Sequence, residues 1–175
     1  MRLEGASGLG NVRPLGQGVK HASWLATLAA ANASSRAHSS RLLCKYIAGH
    51  PGRKEKFDTL RANGFPECSW NFQPGIDAYI NAVADARFVA APRGLGQTCM
   101  REWEAVVLGA VPVLERFAPH AGLYGNAPRV EIGDWAEVTP DLLDRRWTEL
   151  TAAADATVEH AYFPFWLHEI TKGWL

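Results

Sequence analysis

The chain has 175 residues, 47% of them hydrophobic and 21% charged, with 18 Lys+Arg against 18 Asp+Glu and no formal net charge. That balance fits one folded domain and excludes a disordered chain. It also excludes a broad basic face for nucleic acid, so any group of arginines has to be read as a local site. No apolar run approaches the ~20 residues that span a bilayer, and no signal-peptide core follows Met1.

Residues 1–18 carry Gly5, Gly8, Gly10, Gly16, Gly18 and Pro14, which is loop or tail composition. Residues 19–33 are Ala-rich and helix-prone, and 34–40 form a polar break. The compact unit is therefore expected to be 41–175, with 1–40 a tail plus an N-terminal helix. The sequon Asn32-Ala33-Ser34 occurs in that tail, although such triplets are frequent by chance.

Downstream the pattern alternates. The apolar run 42–48 reads as a buried strand. A turn at Gly49-His50-Pro51-Gly52 leads into a helix over 53–63, with Phe57 and Leu60 on one face and Gly64 as its stop. A short strand is expected over 68–72 and a helix over 74–86 with Ile76, Tyr79, Ile80 and Val83 inward. Strand 87–91, helix 100–108 and strand 110–114 follow. Pro112 cannot donate to a ladder, so the last of these is expected at an edge or irregularly paired. A strand over 129–132 comes next. Thr139 then precedes Pro140 as N-cap before N1, opening a helix to about residue 154. The aromatic stretch 161–175 reads as a helix packed on the core. Strands alternating with helices predict an α/β fold: Rossmann-like, with a largely parallel sheet and helices on both faces.

The three cysteines, Cys44, Cys68 and Cys99, are widely spaced with no C-x-x-C pair, which argues against zinc. Either a Cys44–Cys68 disulfide or three buried thiols fits them, the burial habit of free cysteine favouring thiols. Asp77, Asp85 and Asp134 stand apart from histidines and no D-x-D occurs, so no metal site is expected. His50 and His120 fall in turns and read as exposed loop histidines; Trp103 reads as packing.

The chemistry concentrates in one stretch, FVAAPRGLGQTCMREWEAVVLGAVPVLE from Phe88 to Glu115. Its loop lies at the carboxyl end of a strand, where ligands sit in open α/β sheets. Gly94 and Gly96 allow close backbone approach, and Thr98 is placed to cap the next helix. That helix start favours an anion. Arg93 and Arg101 add guanidinium forks suited to phosphate oxygens. Arg101 opposes the helix dipole, which favours a role with a bound anion. Glu104, three residues on, suits a vicinal diol such as a ribose; an intrahelical Arg101–Glu104 surface pair is the competing reading. Cys99 occupies the third glycine position of G-x-G-x-x-G, so a dehydrogenase fingerprint is missing.

The same run, with Leu123-Tyr124, Pro128 to Ile132, Asp134-Trp135 and Val138-Thr139, resembles the C-terminal half of exostosin-like glycosyltransferases. These have the GT-B architecture of two Rossmann-like lobes. Their Pro-x-Gly loop, Arg-x-x-Glu-Ala helix and Gly-x-x-Pro-Val strand match Pro92, Gly94, Arg101, Glu104, Ala105, Gly109, Pro112 and Val113. The resemblance covers residues 41–147. It implies a single GT-B lobe that binds a nucleotide sugar, commonly UDP-linked, as substrate and needs no cofactor. On it, Arg101 neutralises the diphosphate and Glu104 holds the ribose. Arg93, Gly94, Gly96 and Thr98 line the diphosphate pocket, and Arg53 is a secondary basic residue. The catalytic residue is unassigned. A glycan or protein-linked acceptor and an N-terminal lobe are the implied partners. Because residues 1–40 are too few to form that lobe, the chain is expected to hold only the donor-binding half. The resemblance also implies the Golgi or another secretory-pathway lumen, though the family's membrane anchor is not seen in this sequence. A non-catalytic nucleotide-binding or interaction module derived from such a lobe is the alternative.

Overall fold

In the computed structural model, residues 38–45, 50–69, 75–118 and 120–152 are described. They form four strands, β1 (Ser40–Leu43), β2 (Ala86–Ala90), β3 (Val111–Glu115) and β4 (Val130–Ile132), in one all-parallel sheet of order β1-β2-β3-β4. The helices are α1 (Pro51–Ala62), α2 (Ile76–Ala84), α3 (Met100–Val107), α4 (His120–Tyr124) and α5 (Pro140–Thr151), with a 3-10 turn at Trp135–Glu137. The architecture is the Rossmann-like α/β lobe expected. The helices predicted over 19–33 and 161–175 lie outside the described residues, as do 46–49 and 70–74.

Both sheet faces are covered, which is why the strands are apolar throughout rather than alternating. On one face Leu42, Phe88, Ala90, Val111, Val113, Val130 and Ile132 pack against Phe57 and Leu60 of α1, Trp135, and Leu143 of α5. On the other, Leu43, Ala86 and Val89 meet Tyr79, Ile80 and Val83 of α2 and Ala105 of α3. Leu114 extends that second layer onto Trp103, Val106 and Val107 of α3 and Leu123 and Tyr124 of α4.

The helix punctuation follows local chemistry. Gly64 and Gly109, just beyond the ends of α1 and α3, take positive φ of 102° and 80°, a region costly for residues with a Cβ. Thr139 caps α5 by accepting from Leu142 N–H at 3.2 Å. Asn63 ends α1 and donates through Nδ2 to the carbonyls of Ala136 and Val138, both at 3.0 Å, tying that end to the 3-10 turn.

Two expectations are corrected. Pro112 lies in an inner strand, paired with β2 on one side and β4 on the other. Val113 accepts from Ala91 N–H on the β2 side, whereas Arg116 N–H donates to Ile132 on the β4 side. By alternation, the proline nitrogen points toward β4, which begins only opposite Val113. Its missing donor therefore falls before the first β4 pair and costs no ladder bond. Second, Cys44 and Cys68 form a disulfide across a sequence separation of 24, and only Cys99 is a free thiol. Ser69 N–H donates to the Cys44 carbonyl at 3.0 Å and Arg61 Nη1 to the Cys68 carbonyl at 3.1 Å, which holds the two segments side by side. In the chain-entropy account a loop of this length stabilises the fold by about 3.5 kcal/mol. No strand forms at Cys68 and Ser69.

Candidate functional site

The carboxyl ends of β1, β2 and β3 carry the candidate residues onto one edge of the sheet. The 91–99 loop leaves β2, and α3 begins beyond its N-cap, Cys99. Arg53 reaches the loop from the first turn of α1. Its Nε donates to the Arg93 carbonyl at 3.2 Å. A Cβ on Gly94 would lie 2.8 Å from Arg53 Nη2, so the guanidinium is seated against that glycine. The pKa of Arg53 is lowered, by burial first; the nearby Arg101 charge acts in the same direction, against the raising influence of Cys99 and Glu115. Two like charges held this close favour an anion between or beside them.

Arg93 is fastened at both ends. Its N–H donates to Glu115 Oε2 at 3.0 Å. Its guanidinium donates to Gln97 Oε1 at 2.7 Å and to the Arg116 carbonyl at 3.1 Å, bridging the loops after β2 and β3. Arg101 extends across to the end of β1, where Nη1 donates to the Lys45 carbonyl at 3.2 Å, and its guanidinium carbon lies 5.0 Å from the centre of the Tyr79 ring. The structure thus brings Arg53 to Gly94 and the Arg93 backbone, within electrostatic reach of Arg101, while the Arg93 guanidinium turns toward the loop after β3. The loop tip beyond them is open, with Leu95 98% exposed and Gly96 and Gln97 also exposed.

Glu104 is 4% exposed, so it does not sit on a solvated helix surface. Its Oε2 accepts from Tyr79 Oη at 2.5 Å, and burial pushes the Tyr79 hydroxyl well above its ordinary range. Thr98 does not cap α3: that position belongs to Cys99, whose N–H donates to Glu102 Oε1 at 3.0 Å. The next residue along supplies the cap because the chain is still extended at Cys99, with φ −140° and ψ 156°.

Sequence reasoning missed two carboxylates. Glu115, the last residue of β3, is 7% exposed and accepts from Lys56 Nζ at 2.5 Å, Trp135 Nε1 at 2.7 Å and Arg93 N–H. Burial opposes its charge, but these donors outweigh burial and hold its carboxyl below the usual range. Glu102 is 1% exposed and takes, besides the Cys99 N–H, a hydrogen bond from the Tyr124 hydroxyl. Burial pushes its carboxyl up to about 7. The signal available in sequence was the S/T/D/N-x-x-E capping pattern, disguised here by a cysteine at its first position.

His120 is corrected from an exposed loop residue to a buried one, 1% exposed. It opens α4, which turns it under Phe117 and Tyr124, both ring centres 5.4 Å away and edge-on. Its Nδ1 lies 3.5 Å from Glu131 Oε2, and burial lowers its pKa despite that carboxylate. His50 is the half-buried N-cap of α1 rather than an exposed residue. Trp103 packs as expected, stacked on Tyr124 with ring centres 4.4 Å apart.

No protein-family model matches the chain, and no curated protein matches it.

Proposed function

We propose that this chain is the donor-binding lobe of an exostosin-like glycosyltransferase, which transfers a sugar from a UDP-linked nucleotide sugar to an acceptor hydroxyl. The observation that carries this reading is the seating of the Arg53 guanidinium against Gly94 and the Arg93 carbonyl, within electrostatic reach of Arg101, at the carboxyl edge of a parallel sheet and the start of α3. Ligands of open α/β sheets sit there. Preorganised positive charge at that place stabilises a leaving diphosphate as the glycosidic bond breaks. The Arg-x-x-Glu-Ala and Gly-x-x-Pro-Val pattern supports the family. The Cys44–Cys68 disulfide fits the oxidising lumen of a secretory compartment.

On this reading the lobe binds UDP and UDP-sugars. Calorimetry with UDP, UDP-glucose and unrelated nucleotides tests it. Arg101→Ala is expected to weaken UDP binding by about 1.5–3 kcal/mol, the range for a charge-assisted contact. A folded chain that binds no nucleoside diphosphate removes the donor-site reading. Unchanged UDP affinity in Arg101→Ala leaves Arg101 as a packing residue over Tyr79.

A further inference from the structure

We infer that Glu102 is a proton-binding residue coupled to the donor site, so that the lobe takes up a proton at this carboxylate when a nucleotide diphosphate binds. The inference rests on the donor-site reading above and adds its regulation.

Glu102 lies in the first turn of α3 and bonds back to the N–H of the N-cap residue, where the 91–99 loop ends. A helix start offers about half a positive charge, concentrated in the first turn. A diphosphate held by the loop and the three arginines draws on the same half-charge. Two anions then share a field that suits one.

The surroundings of Glu102 decide which of the two gives way. From the loop it faces the Cys99 N–H and thiol; the thiol is itself pushed up to about 12 by burial and stays neutral. From α4 it faces the Tyr124 hydroxyl, whose ring lies beside Arg129 and His120. From β3 it feels Glu115, a like charge. Arg101 precedes it on α3, but that guanidinium turns to Lys45 and Tyr79. The direct hydrogen-bond donors to Glu102 are therefore a backbone amide, a thiol and a phenol, all uncharged. A buried carboxylate held only by neutral donors ionises reluctantly, and its place near neutrality fits that. An incoming diphosphate raises its proton affinity further, whereas Glu115, held by Lys56, keeps its charge.

The test is calorimetry of the full chain with UDP-glucose, whose diphosphate diester has no ionisation near neutral pH. Titrations at pH 7 in two non-phosphate buffers of different ionisation enthalpy read the protons exchanged. The expected result is net uptake of a fraction of one proton. Affinity is expected to rise as pH falls from 8.5 to 6, about tenfold for each unit by which saturation raises the Glu102 midpoint. Glu102→Gln is expected to abolish the uptake and flatten the pH dependence. Should that variant fold poorly, carboxyl NMR of the wild type reads the Glu102 midpoint directly, free and saturated. Binding without proton uptake, or a midpoint that saturation leaves in place, overturns the inference while the donor site stands. Absence of UDP-glucose binding at every pH overturns the donor-site reading itself.

Discussion

Glu102 and Glu115 lie on the two sides of the 91–99 loop, and both are buried. Yet burial pushes one carboxyl up to about 7, whereas the other is held below its ordinary range against burial. The difference lies in their partners. Glu115 receives an ammonium from α1, an indole N–H from beyond β4 and a backbone N–H from the loop. Glu102 receives only uncharged donors, a backbone N–H, a thiol and a phenol. Desolvation sets the cost of a buried charge; at Glu115 three donors, one of them cationic, together outweigh it, and at Glu102 the neutral donors do not.

The most direct way to break this contrast is Glu115→Ala. It strands Lys56, Trp135 Nε1 and the Arg93 N–H together. Losing one partner of a buried pair costs about 3–5 kcal/mol, and the lower half of that range is expected because Lys56 is partly solvated. Urea unfolding checks this. The next largest effect separates the two acids by pH. Glu102 has a folded pKa raised from 4.5 to about 7, so the folded state binds more protons than the unfolded one across that window. Stability is full below about pH 4.5 and falls as pH rises from there through 7, by about 3 kcal/mol. Glu115 has a lowered folded pKa, so its contribution is present above the unfolded carboxyl pKa and lost as pH falls through the folded one. Glu102→Gln is expected to flatten only the alkaline limb of the stability profile, and Glu115→Gln only the acid limb. Urea midpoints from about pH 2 to 8.5 distinguish the two, and a single limb altered by both variants would show that the acids titrate as one group.

The same contrast shows where sequence is legible. The fold class, the inward face of α2, the caps Gly64 and Thr139 and the packing of Trp103 follow from local periodicity and backbone chemistry, and these are present in the string. Arg93, Gly94 and Arg101 were also visible there, because loop, helix start and residue type are all local. Arg53 was the weaker choice, beside Lys54 and Lys56, because only the 40-residue reach to the Arg93 carbonyl distinguishes it. Glu115 was hidden for the same reason: its donors lie 59, 22 and 20 residues away. His120 was misjudged because turn propensity says nothing of what packs over a turn. Pro112 was misplaced because the rule against proline in inner strands assumes a neighbour on the proline's side, and β4 is too short to supply one there.

The smallest effect is the sharpest test of that long-range reach. An alanine at Gly94 would put Cβ 2.8 Å from Arg53 Nη2. The obstructing atom is the end of a flexible side chain, so the guanidinium is expected to swing aside. The Arg53 bond to the Arg93 carbonyl is lost, at a stability cost of about 1 kcal/mol or less. Gly94→Ala should therefore unfold at nearly the wild-type urea midpoint while binding UDP several-fold more weakly. Its acid and alkaline stability limbs should both stay in place, because the donors that fix Glu115 and Glu102 are untouched. If Gly94→Ala leaves UDP affinity unchanged, Arg53 belongs to the loop's support and not to its ligand. If it shifts either pH limb, Arg53 contributes to the carboxylate contrast, and Lys56 alone does not explain the low pKa of Glu115.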